Sequence, residues 1–228
     1  MNNYYLKARF LPTVLTCIPL YISVHSVIIA QFGPVLEPIR SILPMLSTFG
    51  ISAALVFIMT QLNRVLSKEI FQRFYFKDEE NMPTTNFLLL SDNYYETHIK
   101  EKLRLKIQSD YDIQLHDLAD ETADELSARK RILFATSQIR NSLRNNDMLF
   151  RHNLEYGFFR NLLGGCVLAI LIACGLCAYG FIKHDNTLFT TGYLLIIIYL
   201  IPILMSKKIM TIYGNNYAKI LHEQFLSL

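Results

Sequence analysis

Four arginines carry the clearest chemical pattern in the chain. Arg129, Arg140, Arg144 and Arg151 are spaced by 11, 4 and 7 residues, and on one continuous helix those intervals bring all four close to a single stripe. A guanidinium fork meets phosphate oxygens in a fixed bidentate geometry. The stripe is therefore a candidate anion or partner site, for a nucleotide signal, a nucleic acid or inner-leaflet lipid head groups. The alternative is a solvated helix face whose arginines pair with the domain's own acids. His116, Asp120 and Asp124 stand at i, i+4 and i+8, with side chains of the types that hold metals. Acids also gather at helix starts, where they favour the macrodipole, and no metal is assigned. No Walker loop or nucleophile elbow occurs, and the Cys-x-x-Cys of Cys174 and Cys177 has no second such motif to pair with it. The expectation is a protein that binds rather than catalyses, with no catalytic residue and no cofactor.

The elements that must position these groups are set by hydropathy. Of 228 residues 52% are hydrophobic and 18% charged, a balance that points to an integral membrane protein. The net charge of +3 is too small for the whole chain to be a nucleic-acid binder. All four cysteines, Cys17, Cys166, Cys174 and Cys177, lie in apolar runs and read as small hydrophobes rather than disulfides or zinc ligands.

Phe10 to Gln31 is an uncharged run of about the 20 residues that cross a bilayer, too long for the apolar core of a cleaved signal peptide, and Pro19 should kink it. The prolines and glycine of 32–40 make a turn, and a second span covers Ser41 to Leu62. Residues 63–161 hold 15 of the 22 Lys and Arg and 16 of the 19 Asp and Glu and read as a soluble domain. Leu162 to Ile182 and Leu188 to Ser206 are spans three and four, joined by a tight turn at 183–187. Lys7, Arg9, Arg64, Lys68, Arg73, Arg160, Lys207 and Lys208 flank the spans on one side, against Arg40 and Lys183 on the other. The positive-inside rule then places both termini and the large loop in the cytoplasm.

The predicted fold is an all-α membrane protein: four transmembrane helices in two hairpins, with a mainly helical cytosolic domain inserted between spans 2 and 3. The divisions are 1–62, a first hairpin; 63–161, a cytosolic sensor or interaction domain; 162–206, a second hairpin; and 207–228, a polar cytosolic tail. Within the domain, Asn63 to Phe76 extends the second helix until the segment 78–83 breaks it. Thr84 to Leu90 is a short β-prone run, and Tyr94 to Gln108 is helical. A long helix from Asp120 to Asn145 starts at the capping-box spacing of Thr122 and Glu125, buries Leu126, Ile132, Leu133, Ile139 and Leu143, and resumes through Arg151 into the third span.

Tyr156, Gly157, Arg160, Gly164 and Gly165 mark the junction between that helix and the membrane, and the glycines are candidate hinges. Gly165, Ala169, Ala173 and Cys177 recur every four residues, a small-residue face on which another helix can pack closely. Packing within one subunit and packing in a homo-oligomer fit it equally. The spans contain no Asp, Glu, Lys or Arg, which argues against a proton-coupled transporter. His25 and the hydroxyls of Thr16, Ser23, Ser26, Ser47, Thr48 and Ser52 either bond across helices or line an aqueous path.

The segments Pro83 to Asp92, Ala128 to Ile132, Gln138 to Arg140 and Asn153 to Gly165 resemble those of a family of small bacterial membrane proteins, over residues 80–170. The architecture, few spans around one cytosolic domain, is similar to membrane effectors of antiphage systems such as retrons and cyclic-nucleotide-signalling systems. That resemblance implies an effector that breaches the inner membrane when a soluble partner protein, or a nucleotide or nucleic-acid signal from the same operon, reports infection. No functional residue is carried over. A membrane-anchored scaffold that recruits a soluble partner and a small channel or transporter are the competing readings, and the lipid bilayer is a partner in all three.

Overall fold

A computed structural model describes residues 3–31, 33–34, 51–77 and 79–228. Among them every regular element is helical. Helices α1 (Asn3–Thr16) and α2 (Ile18–Ile29) are bent by 43° at their junction. Helix α3 (Ile51–Leu66) runs through a π-helical turn, Ser67–Gln72, into α4 (Arg73–Phe76), which closes at Lys77 with φ 41°. There follow α5 (Pro83–Asn86), α6 (Thr97–Tyr111), α7 (Leu118–Ala123), α8 (Glu125–Ser142), α9 (Asp147–Lys183), α10 (Asn186–Leu204) and α11 (Ser206–Leu226).

The chain forms two compact units, one of residues 1–71 and 157–207 and the other of 72–156 and 208–228. In the first, prolines dictate the geometry. Pro19 has no N–H, so the Leu15 carbonyl one turn earlier loses its helical donor. The Tyr199 hydroxyl on α10 donates to it instead, at 2.6 Å. Pro12 likewise frees the Ala8 carbonyl, which accepts from Asn161 Nδ2 on α9 at 2.7 Å. Around that carbonyl the helix widens to a π turn over Leu6–Phe10, with Leu11 N–H reaching Leu6 O. The expected kink in the first span is thus present at Cys17, and both carbonyls the prolines release are rebonded by side chains.

Helices α9 and α10 are long and apolar enough to cross a membrane, and the bent pair α1–α2 is a third candidate if it counts as one broken span. Helix α3 has 16 residues, short of a full span, and residues 41–50 of the expected second span lie outside the described residues. The turn between α9 and α10 forms as expected, with His184 at φ 55° and Asp185 accepting from the N–H groups of Thr187 and Leu188.

The second unit is held by an apolar core of Leu88, Leu89, Leu103, Ile107, Leu115, Ala128, Ile132, Ala135, Ile139, Leu143, Leu149, Tyr217, Ile220, Leu221 and Phe225. Several sequence expectations are corrected here. The β-prone run is helix and turn: Pro83 supplies the fixed φ of a helical first turn, so α5 forms and the chain then turns through Leu88 and Leu89. The long helix from Asp120 is interrupted at Asp124, whose backbone is extended (φ −144°, ψ 82°) and whose carboxylate caps Ser127 N–H at 3.0 Å. Asp124, and not Thr122, is that cap; the Thr122 hydroxyl donates back to the Leu118 carbonyl. Ile132, Ile139 and Leu143 are buried, whereas Leu126, in the first turn, is 51% exposed. The tail is no polar appendage: it is α11, which gives Tyr217, Ile220, Leu221 and Phe225 to the core.

Candidate functional site

The continuous helix that would align four arginines does not exist. Helix α8 ends at Ser142, residues 143–146 turn, and α9 starts at Asp147, so Arg144 sits in the turn and Arg151 on the next helix. Arg129 is fully engaged: Nε donates to Glu125 at 2.8 Å, and Nη1 to Asn86 Oδ1 at 2.6 Å and to the Glu80 carbonyl at 3.0 Å. For Arg129 the alternative, a structural arginine paired inside its own domain, is the one realised. Arg140 faces the same segment through longer contacts of 3.4 Å to Glu79 and to Thr84 Oγ1. Arg140 and Arg144 meet at a cavity beside the turn, also lined by Asn146, Asn153 and Tyr217. Arg151 is exposed and outside that lining.

The candidate metal face, to which no metal is assigned, is likewise dispersed. His116 precedes α7, its carbonyl accepting from Arg104, while Asp117 and Asp124 are the caps of α7 and α8. Among the described residues no group of His, Cys, Asp and Glu is placed to hold a metal ion.

What composition did not single out is a set of three charged side chains that bind backbone. Glu121, 2% exposed, accepts from the N–H groups of Leu90 and Ser91, both at 2.9 Å. Lys100, 3% exposed, donates to the carbonyls of Leu90 and Asp92. Arg104 donates to those of Leu88, at 3.0 Å, and His116; burial pushes its pKa down, with Glu121 and Asp117 pulling it back up. Together they hold the segment 88–92, whose polar backbone no helix or sheet satisfies. The signal was present: Lys100, Leu103, Arg104 and Ile107 share one face of α6.

At the junction, α9 runs without a break through Tyr156, Gly157, Arg160, Gly164 and Gly165. The glycines serve close approach rather than a bend. A Cβ at Gly164 would strike the Asn63 carbonyl and lie 2.7 Å from Ser67 N, and one at Gly165 would strike the Thr16 hydroxyl and lie 2.7 Å from Asn63 Nδ2. Gly157 is pressed by Tyr4 Oη. Into this contact run buried hydrogen bonds: Asn63 Nδ2 to Thr13 and Thr16 at 3.2 and 3.1 Å, and Ser67 to Asn161 at 3.2 Å. Tyr156 is buried and stacks on Tyr217, with ring centres 6.4 Å apart.

The small-residue face is used inside the subunit. Ala169 and Ala173 are buried with Leu195 and Tyr199 of α10, and a Cβ at Gly192 would lie 2.8 Å from Cys177 Sγ and 2.9 Å from the Ala173 carbonyl. Thr16 bonds across helices as expected, Ser23 bonds back to the Pro19 carbonyl, and His25 stacks on Tyr21. Ser47 and Thr48 lie outside the described residues.

These features define an all-helical protein with two helices fit to span a membrane and a second unit whose core is closed by the helix after the last apolar span. No protein family, no curated protein and no solved structure matches the chain. The likeness to antiphage effectors therefore rests mostly on architecture.

Proposed function

We propose that this chain is a multi-pass inner-membrane protein, with four spans and both termini cytoplasmic, that acts as a membrane effector of a bacterial antiphage defence system. The unit of residues 72–156 and 208–228 receives a signal from a soluble partner or ligand, and the spans then make the membrane leak, stopping growth before the phage matures. The observation that carries this reading is α9. Its 37 residues make about 55 Å of helix at 1.5 Å per residue, well beyond the roughly 30 Å hydrocarbon core. One helix thus contributes Leu149 to one unit's core and Cys166, Ala169 and Ala173 to the other's. A displacement at its first turns has a direct covalent route to the spans. The signal acts only if it binds the two arrangements with different affinity.

A second reading, an anchored scaffold that recruits a soluble partner, is favoured by the small-residue face, because Ala173, Cys177 and Gly192 are already packed together within the chain. The two are separated by a potential-sensitive dye in bacteria expressing the chain with its neighbouring genes, before and after phage challenge. Depolarisation on challenge supports the effector. Protection from phage with an unchanged potential overturns it and leaves the scaffold.

A further inference from the structure

We infer that the cavity beside the α8–α9 turn is a binding site for a small phosphate-bearing anion, gripped by Arg140 and Arg144. The inference names the chemistry of the signal, and it rests on the reading that this unit is the one that receives it.

The cavity measures about 220 Å³ and is lined by Arg140, Leu143, Arg144, Asn146, Leu149, Phe150, Asn153 and Tyr217. Its cationic groups are underused. Arg140 reaches Glu79 and Thr84 only at 3.4 Å, and its Nε is buried with no hydrogen-bond partner. Among the described residues nothing pairs with the Arg144 guanidinium or the Asn153 amide. Asn146 is spent on structure, accepting from Leu149 N–H at 2.9 Å and donating to Gln224 at 2.7 Å, so it fixes the wall and leaves Arg144 and Asn153 to a ligand.

Arginine near a helix C-terminus has an ordinary explanation, attraction to the terminal carbonyls. That explains neither a buried, unbonded Nε nor the convergence of two guanidiniums with an amide from the next helix. Two forks and an amide donor match the oxygens of a phosphate, and among the described residues the only acid paired to either arginine is Glu79. Leu143, Leu149 and Phe150 offer apolar wall to an organic group on that phosphate. The volume is below the roughly 300–1,000 Å³ of sites for drug-sized ligands. It suits a phosphate ester of a few carbons or one phospholipid head group, and it is too small to enclose an oligonucleotide.

The test uses the full chain in nanodiscs of phosphatidylcholine, titrated with glycerol 3-phosphate at constant ionic strength and followed by calorimetry, with sodium acetate as the control anion. Saturable binding is expected for glycerol 3-phosphate alone. Because hydrogen bonds to charged groups are among the stronger ones, Arg144→Gln and Asn153→Leu should each weaken it about tenfold or more. Arg151→Gln, an exposed arginine outside the lining, should leave it unchanged. Arg144 is exposed in a turn, so its variant is expected to fold, which the melting curve of the same sample checks. No saturable binding, or an equal loss in Arg151→Gln, overturns the inference. Discs containing phosphatidylglycerol distinguish the source: Arg144-dependent loss of glycerol 3-phosphate binding in them assigns the cavity to a lipid head group, and retained binding assigns it to a soluble ester. Binding without depolarisation on phage challenge leaves the site standing and removes the effector reading; depolarisation without binding does the reverse.

Discussion

The two units solve the same problem, holding helices together, by opposite means. In the unit of residues 1–71 and 157–207 the contacts are close and polar. Glycines let backbones meet, and Thr13, Thr16, Asn63, Ser67 and Asn161 bond across the gap. In the unit of residues 72–156 and 208–228 a broad apolar core does the work, and charged groups fasten the irregular segment 88–92. On the proposed topology the difference follows the solvent. Lipid tails are as apolar as leucine, so burying leucine between membrane helices gains little and shape and hydrogen bonds decide. Water makes apolar burial the main force, about 25 cal/mol per Å².

Each side of that contrast can be broken separately. The largest effect is expected from Gly164→Val. It drives a branched side chain into the Asn63 carbonyl and the Ser67 amide, for about 3 kcal/mol or more, and should abolish cooperative unfolding of the purified protein in micelles. A wild-type melting curve would mean that the contact at Gly164 is not needed. Next is Glu121→Gln, which sets an amide N–H where one of the two backbone N–H groups, of Leu90 or Ser91, needs an acceptor. A loss of about 2 kcal/mol is expected in denaturant unfolding, and a loss below about 0.5 kcal/mol would show the clamp to be dispensable.

His222 comes third. It is fully buried, and burial, with the Arg140 charge adding and the backbone of Thr84 opposing, pushes its pKa down to about 4. The unfolded chain takes up that proton near 6.5, so stability is complete above about pH 6.5 and falls as the pH drops towards about 4, where the folded form also protonates. The slope is at most about 1.4 kcal/mol per pH unit. Melting temperature against pH should bend downwards in that window, and His222→Met should flatten the bend. The smallest effect is Tyr199→Phe, which removes the bond to the Leu15 carbonyl at about 0.6 kcal/mol, the typical size for hydrogen bonds between membrane helices. A large loss there would make the proline repair a dominant interaction rather than one of several.

How far all this could be read from the chain depends on range. Local signals were legible: the Pro19 kink, the tight turn at Asp185, the apolar stretches of α9 and α10, and the burial of Ile132, Ile139 and Leu143. Non-local partners were not. The periodicity of residues 120–145 is helical throughout, yet Asp124, whose carboxylate competes for the backbone, interrupts the helix near its start and Ser142 ends it early. Nothing in the sequence near Arg129 says that Asn86 and Glu80 lie opposite, and spacing alone could not predict that the helix carrying Arg140 would stop before Arg144. The polar look of residues 207–228 hid a helix whose apolar stripe, Tyr217, Ile220, Leu221 and Phe225, has the i, i+3, i+4, i+8 pattern of a core face. The small-residue face was visible, but its partner Gly192 was identifiable only in three dimensions.

That last helix has a consequence for synthesis. The core that Leu88 to Leu149 begin is completed by residues up to Phe225, and the two most apolar helices lie between them in the chain. A ribosome adds roughly 5–20 residues per second, so for several seconds the first half of that core has an open apolar side while α9 and α10 are still being made. Synthesis of both helices is therefore a precondition for closing the second unit's core. A chain cut short before α11 leaves that surface uncovered, where chaperones and proteases can find it.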